Sequence, residues 1–187
     1  MRDQGSFGLP TVYQGITFRS RLEARFAIFM NQLGVRWHFE PEGFNLPSGL
    51  YLPDFYLPDL SVWLEGKPSW DVAKSANIAL HLDLMRATGQ RLYVTTGMPG
   101  PSPLVCWRDF REGATPWSCW NHCCLCESTW IGTIVGPHAH RCSDGRVGLA
   151  GHNVLCQVRR RPCLHDACTA AERATFDRSP IRPFVHA

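Results

Sequence analysis

Three ionisable side chains, Asp54, Glu65 and Lys67, lie in a stretch (YLPDFYLPDLSVWLEGK) that has the pattern of a β-hairpin. An apolar run leads into the turn signal Pro58-Asp59, and a β-rich run returns from it. A turn centred after Asp59 places Asp54 directly opposite Glu65, and directly opposed residues of an antiparallel pair have Cβ atoms roughly 4.5–5.5 Å apart. Lys67 lies two residues beyond Glu65 and shares its face of the strand. The stretch therefore predicts two carboxylates and an amine at one place.

This combination of groups predicts a metal site. Two opposed carboxylates repel each other unless a cation or a proton lies between them. Their oxygen atoms suit hard divalent ions, so we expect Asp54 and Glu65 to bind Mg²⁺ or Mn²⁺. Such an ion polarises a phosphoryl oxygen and activates water, while Lys67 orients the water or offsets charge in the transition state. The pattern indicates phosphodiester hydrolysis; the alternative is a surface hairpin whose Glu and Lys are solvated.

A helix before the hairpin supplies a third acid. Residues Phe18 to Leu33 place their apolar side chains on one side, and Gly34 ends the helix. Glu23 falls at the border between the apolar stripe and the polar face, from which a carboxylate can reach a cleft beside the core. The alternative is a solvated Glu23 that pairs with Arg19, four residues earlier.

The elements that position these groups alternate along the chain. Val35 to Phe39 has the alternation of a strand, whereas Met1 to Gly15 is predicted to be irregular. After the hairpin, Trp70 to Thr88 is predicted to be a helix and Arg91 to Thr96 a strand. This order of helix, strands, helix and strand predicts an α/β fold with the acidic hairpin in its middle.

From Tyr13 to about Thr96 the chain resembles the PD-(D/E)xK nuclease superfamily. The likeness is to its compact phage-type members, which include the Holliday-junction-resolving endonuclease I type and the transposon-end nucleases. The matching elements are the helix SRLEAR, the segment YLPDF and the triplet Glu65-Gly66-Lys67, followed by a helix and a strand. The resemblance implies a restriction-endonuclease-like mixed central sheet flanked by helices, and metal-dependent DNA cleavage that leaves a 3′-hydroxyl and a 5′-phosphate.

The resemblance also implies a role for each matching residue. Asp54 and Glu65 would be the metal ligands, Lys67 the catalytic lysine, and Glu23 a residue that completes or supports the metal site from the helix. Two arginines of the same helix segment would hold phosphates, Arg19 and Arg21. Arginines on a helix surface are, however, often only solvated.

Two positions depart from the family pattern. Gly66 occupies the middle of the triplet, where the family usually has an apolar residue that packs into the sheet, and Pro68 follows where Gly is common. A glycine in a strand weakens it, which bears on where Lys67 points. Asp59, in the second Pro-Asp pair, is a rival to Asp54, but as a turn residue it would not face Glu65.

The C-terminal third has a different composition. Residues 1–112 carry 11 basic and 11 acidic side chains, whereas residues 113–187 carry 8 and 5, so the net charge of +3 belongs to the second part. Of nine cysteines, eight follow residue 112. We therefore predict a nuclease-like domain over 1–112 and a Cys/His-rich appendage with a C-terminal helix, His165 to Phe176, over 113–187. The densest positive cluster, Arg159-Arg160-Arg161, is either a contact for the DNA backbone or a solvated loop.

The appendage has the ligands of a structural zinc site. Cys123 and Cys126 form a C-x-x-C, and His140 and Cys142 follow at a separation expected of a second ligand pair. These four predict a Cys₃His site in a zinc-ribbon-like subdomain, with His138 and Cys119 left as alternative ligands. Reduced, unligated cysteines are the alternative to any metal at all.

The same composition bears on compartment and partners. An odd number of cysteines without a secretory signal favours an intracellular, cytoplasmic protein, or the host cytoplasm for a phage-encoded one. No run of 18 apolar residues is present, so we expect no membrane partner.

The sequence as a whole predicts a metal-dependent DNA endonuclease of phage or mobile-element DNA processing or recombination. Two alternatives remain open: a catalytically inactive nuclease-fold module that binds DNA or protein, for which Gly66 is the hint, and a homodimeric Holliday junction resolvase.

Overall fold

A computed structural model describes residues 8–75, 77–100, 104–106, 117–122, 129–133, 138–141, 147–150 and 164–176. In these ranges the strands are β1 (Thr11–Tyr13), β2 (Ile16–Phe18), β3 (His38–Phe39), β4 (Phe44–Leu46), β5 (Gly49–Tyr51), β6 (Phe55–Leu57), β7 (Val62–Lys67), β8 (Arg91–Thr96), β9 (Leu104–Val105), β10 (Trp117–His122), β11 (Thr129–Thr133), β12 (His138–Arg141) and β13 (Val147–Ala150). The helices are α1 (Arg21–Gln32), α2 (Trp70–Ser75), α3 (Ile78–Thr88) and α4 (Leu164–Arg173).

Seven strands form one mixed sheet in the order β11-β10-β9-β8-β7-β6-β3. Only the β7–β8 pair is parallel among the described strands, and α2 and α3 connect these two strands, as a parallel pair requires a crossover. Three two-stranded ribbons accompany the sheet: β1-β2, β4-β5 and β12-β13. The predicted α/β class is therefore confirmed, as a mixed sheet with a few helices.

The β6–β7 hairpin has the predicted register. Phe55 pairs with Leu64 and Leu57 with Val62, and one further step of this register sets Asp54 opposite Glu65. Ser61 has a positive φ of 52° in the tight connection, where the backbone N–H of Leu60 donates to the carbonyl of Leu57. The position of the turn thus follows from the Pro-Asp signal.

Helix α1 begins three residues later than predicted because Ser20 caps it. The Ser20 hydroxyl accepts a hydrogen bond from the backbone N–H of Glu23, and the Glu23 carboxylate accepts one from the backbone N–H of Ser20. This reciprocal pair is a capping box, which satisfies donors that a helix start otherwise leaves open. The buried face of α1 includes Phe26 and Phe29, with Leu33 at its C-terminal end.

Three predicted elements are wrong in extent. The single helix predicted over 70–88 is two helices, because Asn77 caps a new start by accepting from the backbone N–H of Ala79. Residues 11–18 form the β1-β2 ribbon where an irregular lead-in was expected. The strand predicted over 35–39 is reduced to β3.

The described C-terminal segments share the core of the first 112 residues. Strands β10 and β11 extend the main sheet beyond β9, and Trp120 packs edge-on against Phe29 with ring centroids 5.4 Å apart. Helix α4 packs on α1, where the Arg25 guanidinium donates to the carbonyl of Ala171 and lies over the ring of Phe176. The sheet therefore crosses residue 112, where the sequence predicts a domain boundary.

The zinc prediction falls mostly outside the described residues. Cys123, Cys126 and Cys142 lie there, as does the side chain of His140, whose backbone belongs to β12. The three arginines predicted to contact DNA, Arg159, Arg160 and Arg161, lie outside as well. Within the described part of the chain, no helix is long and apolar enough to cross a membrane.

Candidate active site

The carboxylates of Asp54 and Glu65 each accept a hydrogen bond from a backbone N–H group on the opposite side of the hairpin. The Asp54 carboxylate accepts from the backbone N–H of Gly66 at 2.9 Å, and the Glu65 carboxylate accepts from the backbone N–H of Asp54 at 3.2 Å. Both residues are only 3% exposed. The hairpin thus brings the two acids together next to the first residue of β6, as the sequence predicts.

Lys67 joins this pair from the same strand as Glu65. Its ammonium donates to Glu65 Oε1, while Oε2 accepts from the Tyr51 hydroxyl at 3.0 Å. Burial on its own lowers the pKa of Lys67, but the charges of Glu65 and Asp54 outweigh burial and the net pKa is raised. Lys67 is therefore a fixed positive charge and a hydrogen-bond donor rather than a base.

The environment of Asp54 opposes its ionisation. Burial raises the pKa of Asp54 first, and the charge of Glu65 raises it further, against the lowering effects of Lys67 and of the Gly66 N–H. A buried carboxylate whose neighbour is also acidic gains from a cation placed beside it. The pKa shift of Asp54 therefore indicates a site that favours additional positive charge.

Arg19 supplies part of that charge. Its guanidinium lies 2.7 Å from Asp54 Oδ1, 2.5 Å from Glu40 Oε1 and 4.0 Å from Glu23 Oε1. Burial lowers the pKa of Arg19, and the surrounding acids, Asp54 first among them, more than restore it. Four carboxylates, those of Glu23, Glu40, Asp54 and Glu65, act on the Arg19 guanidinium, and two of them, Glu65 and Asp54, also act on the Lys67 ammonium.

Glu23 serves the site indirectly. Glu23 is 8% exposed, so the alternative of a solvated side chain is wrong. The ion pair with Arg19 that this alternative also assumed is present. Glu23 Oε2 accepts from the backbone N–H groups of Arg19 and Ser20, at 2.8 and 3.2 Å. These bonds fix the chain at Arg19, and Glu23 thereby helps to hold the arginine over Asp54.

Part of this cluster lines one cleft, and Glu65 and Glu40 lie behind the residues that form its wall. The cleft has a volume of about 520 Å³, and its polar wall includes Arg19, Glu23, Asp54 and Lys67. Arg21, the other arginine predicted to hold phosphate, lines the same cleft. Asp59 is remote from it, since it forms an ion pair with Arg36 at the hairpin turn, as a turn residue should.

A close contact with α1 accounts for Gly66. A Cβ atom at this position would lie 3.0 and 3.2 Å from two ring atoms of Phe26. The Phe26 ring therefore fills the space that an apolar side chain in the middle of the triplet would occupy. A larger side chain at residue 66 would therefore require the Phe26 ring to shift.

Sequence reasoning missed two residues of the cluster, Glu40 and Tyr51. Glu40 follows β3 with a positive φ of 43°, and its backbone N–H donates to the Asp54 carbonyl. Tyr51 ends β5 and is mostly buried beside Glu65. Neither lies in a local motif, so only the pairing of β3 with β6 and the path of the β4-β5 ribbon bring them to the site.

No family model matches this chain, and searches of curated proteins and of solved structures likewise return no significant match.

Proposed function

We propose that the chain is a metal-dependent DNA endonuclease that hydrolyses phosphodiester bonds, in phage or mobile-element DNA processing or recombination. The observation that carries the proposal is the convergence of Asp54, Glu65 and Lys67 at the end of the β6–β7 hairpin. Two buried acids and a protonated amine in an open cleft are the groups that phosphodiester hydrolysis requires. The resemblance to PD-(D/E)xK nucleases supplies the substrate class.

The donor set fits Mg²⁺ or Mn²⁺. Among the residues that the structure describes, no three His, Cys, Asp or Glu side chains form a ready-made metal cage. Mg²⁺ needs no such cage, because one or two carboxylates, waters and substrate phosphates complete its shell. Asp54 and Glu65 would hold the ion, and the excess of acids over bases around them favours it. When bound, the ion supplies Lewis acidity toward a phosphoryl oxygen and a more acidic water.

The chain's own residues act around that centre. The Lys67 ammonium, held on Glu65, donates a hydrogen bond to the attacking water or to an oxygen that gains charge in the transition state. Arg19 and Arg21 line the same cleft and bind phosphate oxygens of the DNA strand. Tyr51 and the backbone N–H of Asp54 fix the orientation of the Glu65 carboxylate.

Plasmid and four-way-junction cleavage in Mg²⁺ tests the proposal. We expect Asp54→Asn and Lys67→Met each to reduce the rate by at least ~100-fold, since each removes a group that acts at the reacting centre. Asp59→Asn is the matched control, because this aspartate follows a proline in the same hairpin but pairs with Arg36. Cleavage that survives both substitutions, or that persists in excess chelator, would refute the assignment.

The two alternatives have separate tests. The inactive binding module had Gly66 as its hint, and the Phe26 contact gives that glycine another reason. DNA binding without cleavage in the assay above would nevertheless favour it. A junction resolvase requires a dimer and selective cutting of the four-way junction, so light scattering of the purified protein and the junction substrate decide this case.

We also propose a structural zinc ion bound by Cys123, Cys126, His140 and Cys142. Cys123 and Cys126 belong to the segment that connects β10 to β11, whose ends pair at His122 and Thr129. A C-x-x-C in such a connection suits a zinc ribbon. Metal analysis should find about one zinc per chain, and a folded protein without zinc would remove this proposal.

A further inference from the structure

The lining of the cleft at the candidate active site includes an apolar part, its apolar rim, in addition to charged side chains. Leu9, Leu22 and Val72 line this rim. Leu9 is 62% exposed and Val72 is 43% exposed, so both present large apolar surfaces to whatever enters. They come from three separate parts of the chain: the segment before β1, helix α1 and helix α2.

The lining of the cleft requires a ligand with two kinds of surface. Arg19, Arg21 and Lys67 favour an anion, and the rim favours an apolar group. A nucleotide has both parts, because its phosphate is anionic and the faces of its base are apolar. Charge complementarity and continuity with the candidate active site therefore point to a nucleotide of the DNA strand being cut.

The size of the cleft limits how that nucleotide enters. A volume of about 520 Å³ falls in the range of pockets that enclose a small ligand, roughly 300–1,000 Å³. An intact duplex offers only the edges of its stacked bases, whereas an unstacked nucleotide offers the whole face of its base. For a DNA strand, the nucleotide that offers the rim the face of its base is one that has left the stack.

We propose that Leu9, Leu22 and Val72 receive the base of an unstacked nucleotide next to the scissile phosphate. The substrate class is then DNA with unpaired positions, such as gaps, flaps or junctions, in preference to continuous duplex. This inference rests on the proposed function, because it places the base beside a phosphate held by Arg19 and Lys67.

Binding of DNA that contains 2-aminopurine tests the inference without cleavage. The probe base lies at a single-nucleotide unpaired position in one duplex and is paired in a matched continuous duplex, with chelator present. The wild-type protein should bind the unpaired substrate more tightly and change the fluorescence of the probe. The double variant Leu9→Ser/Val72→Ser should bind that substrate about tenfold more weakly, since contacts to one base are lost.

Leu50→Ser is the matched control. Leu50 is 82% exposed on β5 and does not line the cleft, so its substitution should leave binding unchanged. Leu9→Phe enlarges the rim and should tighten binding of the unpaired substrate. Circular dichroism of each variant establishes that these exposed substitutions leave the fold intact.

The outcomes separate the two proposals. The inference is overturned if wild type does not prefer the unpaired substrate, if the double variant binds it as tightly as wild type, or if Leu50→Ser weakens binding equally. The nuclease proposal fails on a different result, the absence of Mg²⁺-dependent cleavage on any of these DNAs. Preferential binding that depends on the rim, together with no cleavage, would support the inference for a binding protein.

Discussion

Arg19 lies among the acids of the candidate active site. Its guanidinium contacts Asp54 and Glu40 and lies near Glu23, which come from three different elements or loops. The same side chain lines the cleft, as does that of Arg21. Under the proposed function, the acids of the cleft and a phosphate of the DNA would compete for Arg19.

Removing this charge should affect metal and DNA in opposite directions. In Arg19→Gln the acids lose a competing cation, and one charge at ~4 Å near a protein surface is worth roughly 1–4 kcal/mol. We expect Mn²⁺ to bind at least ~5-fold more tightly and DNA to bind at least ~5-fold more weakly, which is the lower end of that range. Isothermal titration calorimetry and a filter-binding assay measure the two affinities.

Arg36→Gln provides the control for this experiment. Arg36 also forms an ion pair with an aspartate, Asp59, but lies away from the cleft. Its removal should leave both affinities unchanged. Weaker Mn²⁺ binding in Arg19→Gln would mean that Arg19 organises the metal site rather than competing with the ion.

His81 gives the fold a dependence on pH. It is 2% exposed, and its Nδ1 has no hydrogen-bond partner among the described residues. Burial lowers the pKa of His81, the charge of Lys67 lowers it further, and the charge of Glu65 opposes them. The folded chain therefore disfavours the protonated form of His81, whereas the unfolded chain takes up a proton near pH 6.5.

This shift has a definite sign. Because the unfolded state binds more protons below pH 6.5, stability should fall as the pH drops through that value toward the folded-state pKa. In His81→Phe, this part of the acid-side loss should disappear. Urea unfolding of both proteins at pH 7.5 and pH 5.5, in chelator, measures the difference. An equal loss of stability in the two proteins would contradict the shift at His81.

At the scale of elements, β7 and α1 approach closely at Gly66. Adding a methyl group in Gly66→Ala places it 3.0 Å from the Phe26 ring, and overpacking of this kind typically costs about 1–3 kcal/mol. We expect this loss in urea unfolding. In a Phe26→Leu background the added methyl gains room, so the same glycine substitution should cost less. Gly43→Ala is the control, since a methyl there would meet only the Tyr51 carbonyl at 3.9 Å.

Equal costs in the two backgrounds would contradict this explanation of Gly66. If Gly66→Ala lowers the stability as much in the Phe26→Leu background as in the wild-type chain, contact with the Phe26 ring is not the reason for a glycine at this position. Gly66 would then require a reason in the backbone of β7 itself.

The elements also explain which parts of the site were predictable. The register that sets Asp54 opposite Glu65 follows from a period of two and a local turn signal, and both are written in consecutive residues. The start of α1 also left a local signal, because Ser20 and Glu23 have the spacing of a capping box, but the apolar pattern alone predicted a start three residues too early. The burial of Glu23 could not be predicted from local residues, because it depends on Arg19 and on the hairpin that follows in the sequence.

Other features depend on contacts between distant segments. Glu40 reaches the site because β3 pairs with β6, and Tyr51 because the β4-β5 ribbon lies beside β7. No pattern in either neighbourhood indicates this, so their roles could be read only from the fold. The break at Asn77, by contrast, left a local signal, an Asn that caps α3.

At the scale of the whole molecule, the described C-terminal helix belongs to the core of the candidate nuclease domain. Leu164, Ala167 and Ala171 of α4 are buried in the same hydrophobic cluster as Phe26 and Phe29 of α1. The composition changes near residue 112, and the described helix beyond that residue nevertheless packs on α1.

A charge placed in this helix interface should therefore destabilise the whole chain. Ala167 is fully buried, and Ala167→Asp leaves a carboxylate without water or partner, which we expect to cost at least ~2 kcal/mol. Because α4 and α1 share one core, the loss should appear in a single unfolding transition followed by circular dichroism, and the lower stability should reduce DNA cleavage near the transition. Glu172→Gln, at an exposed position of the same helix, should unfold like wild type. The opposite result would be an early transition in part of the signal, with the main transition unchanged. Such a result would show that α4 unfolds independently of the sheet that carries Asp54 and Glu65, and it would support the predicted boundary at residue 112.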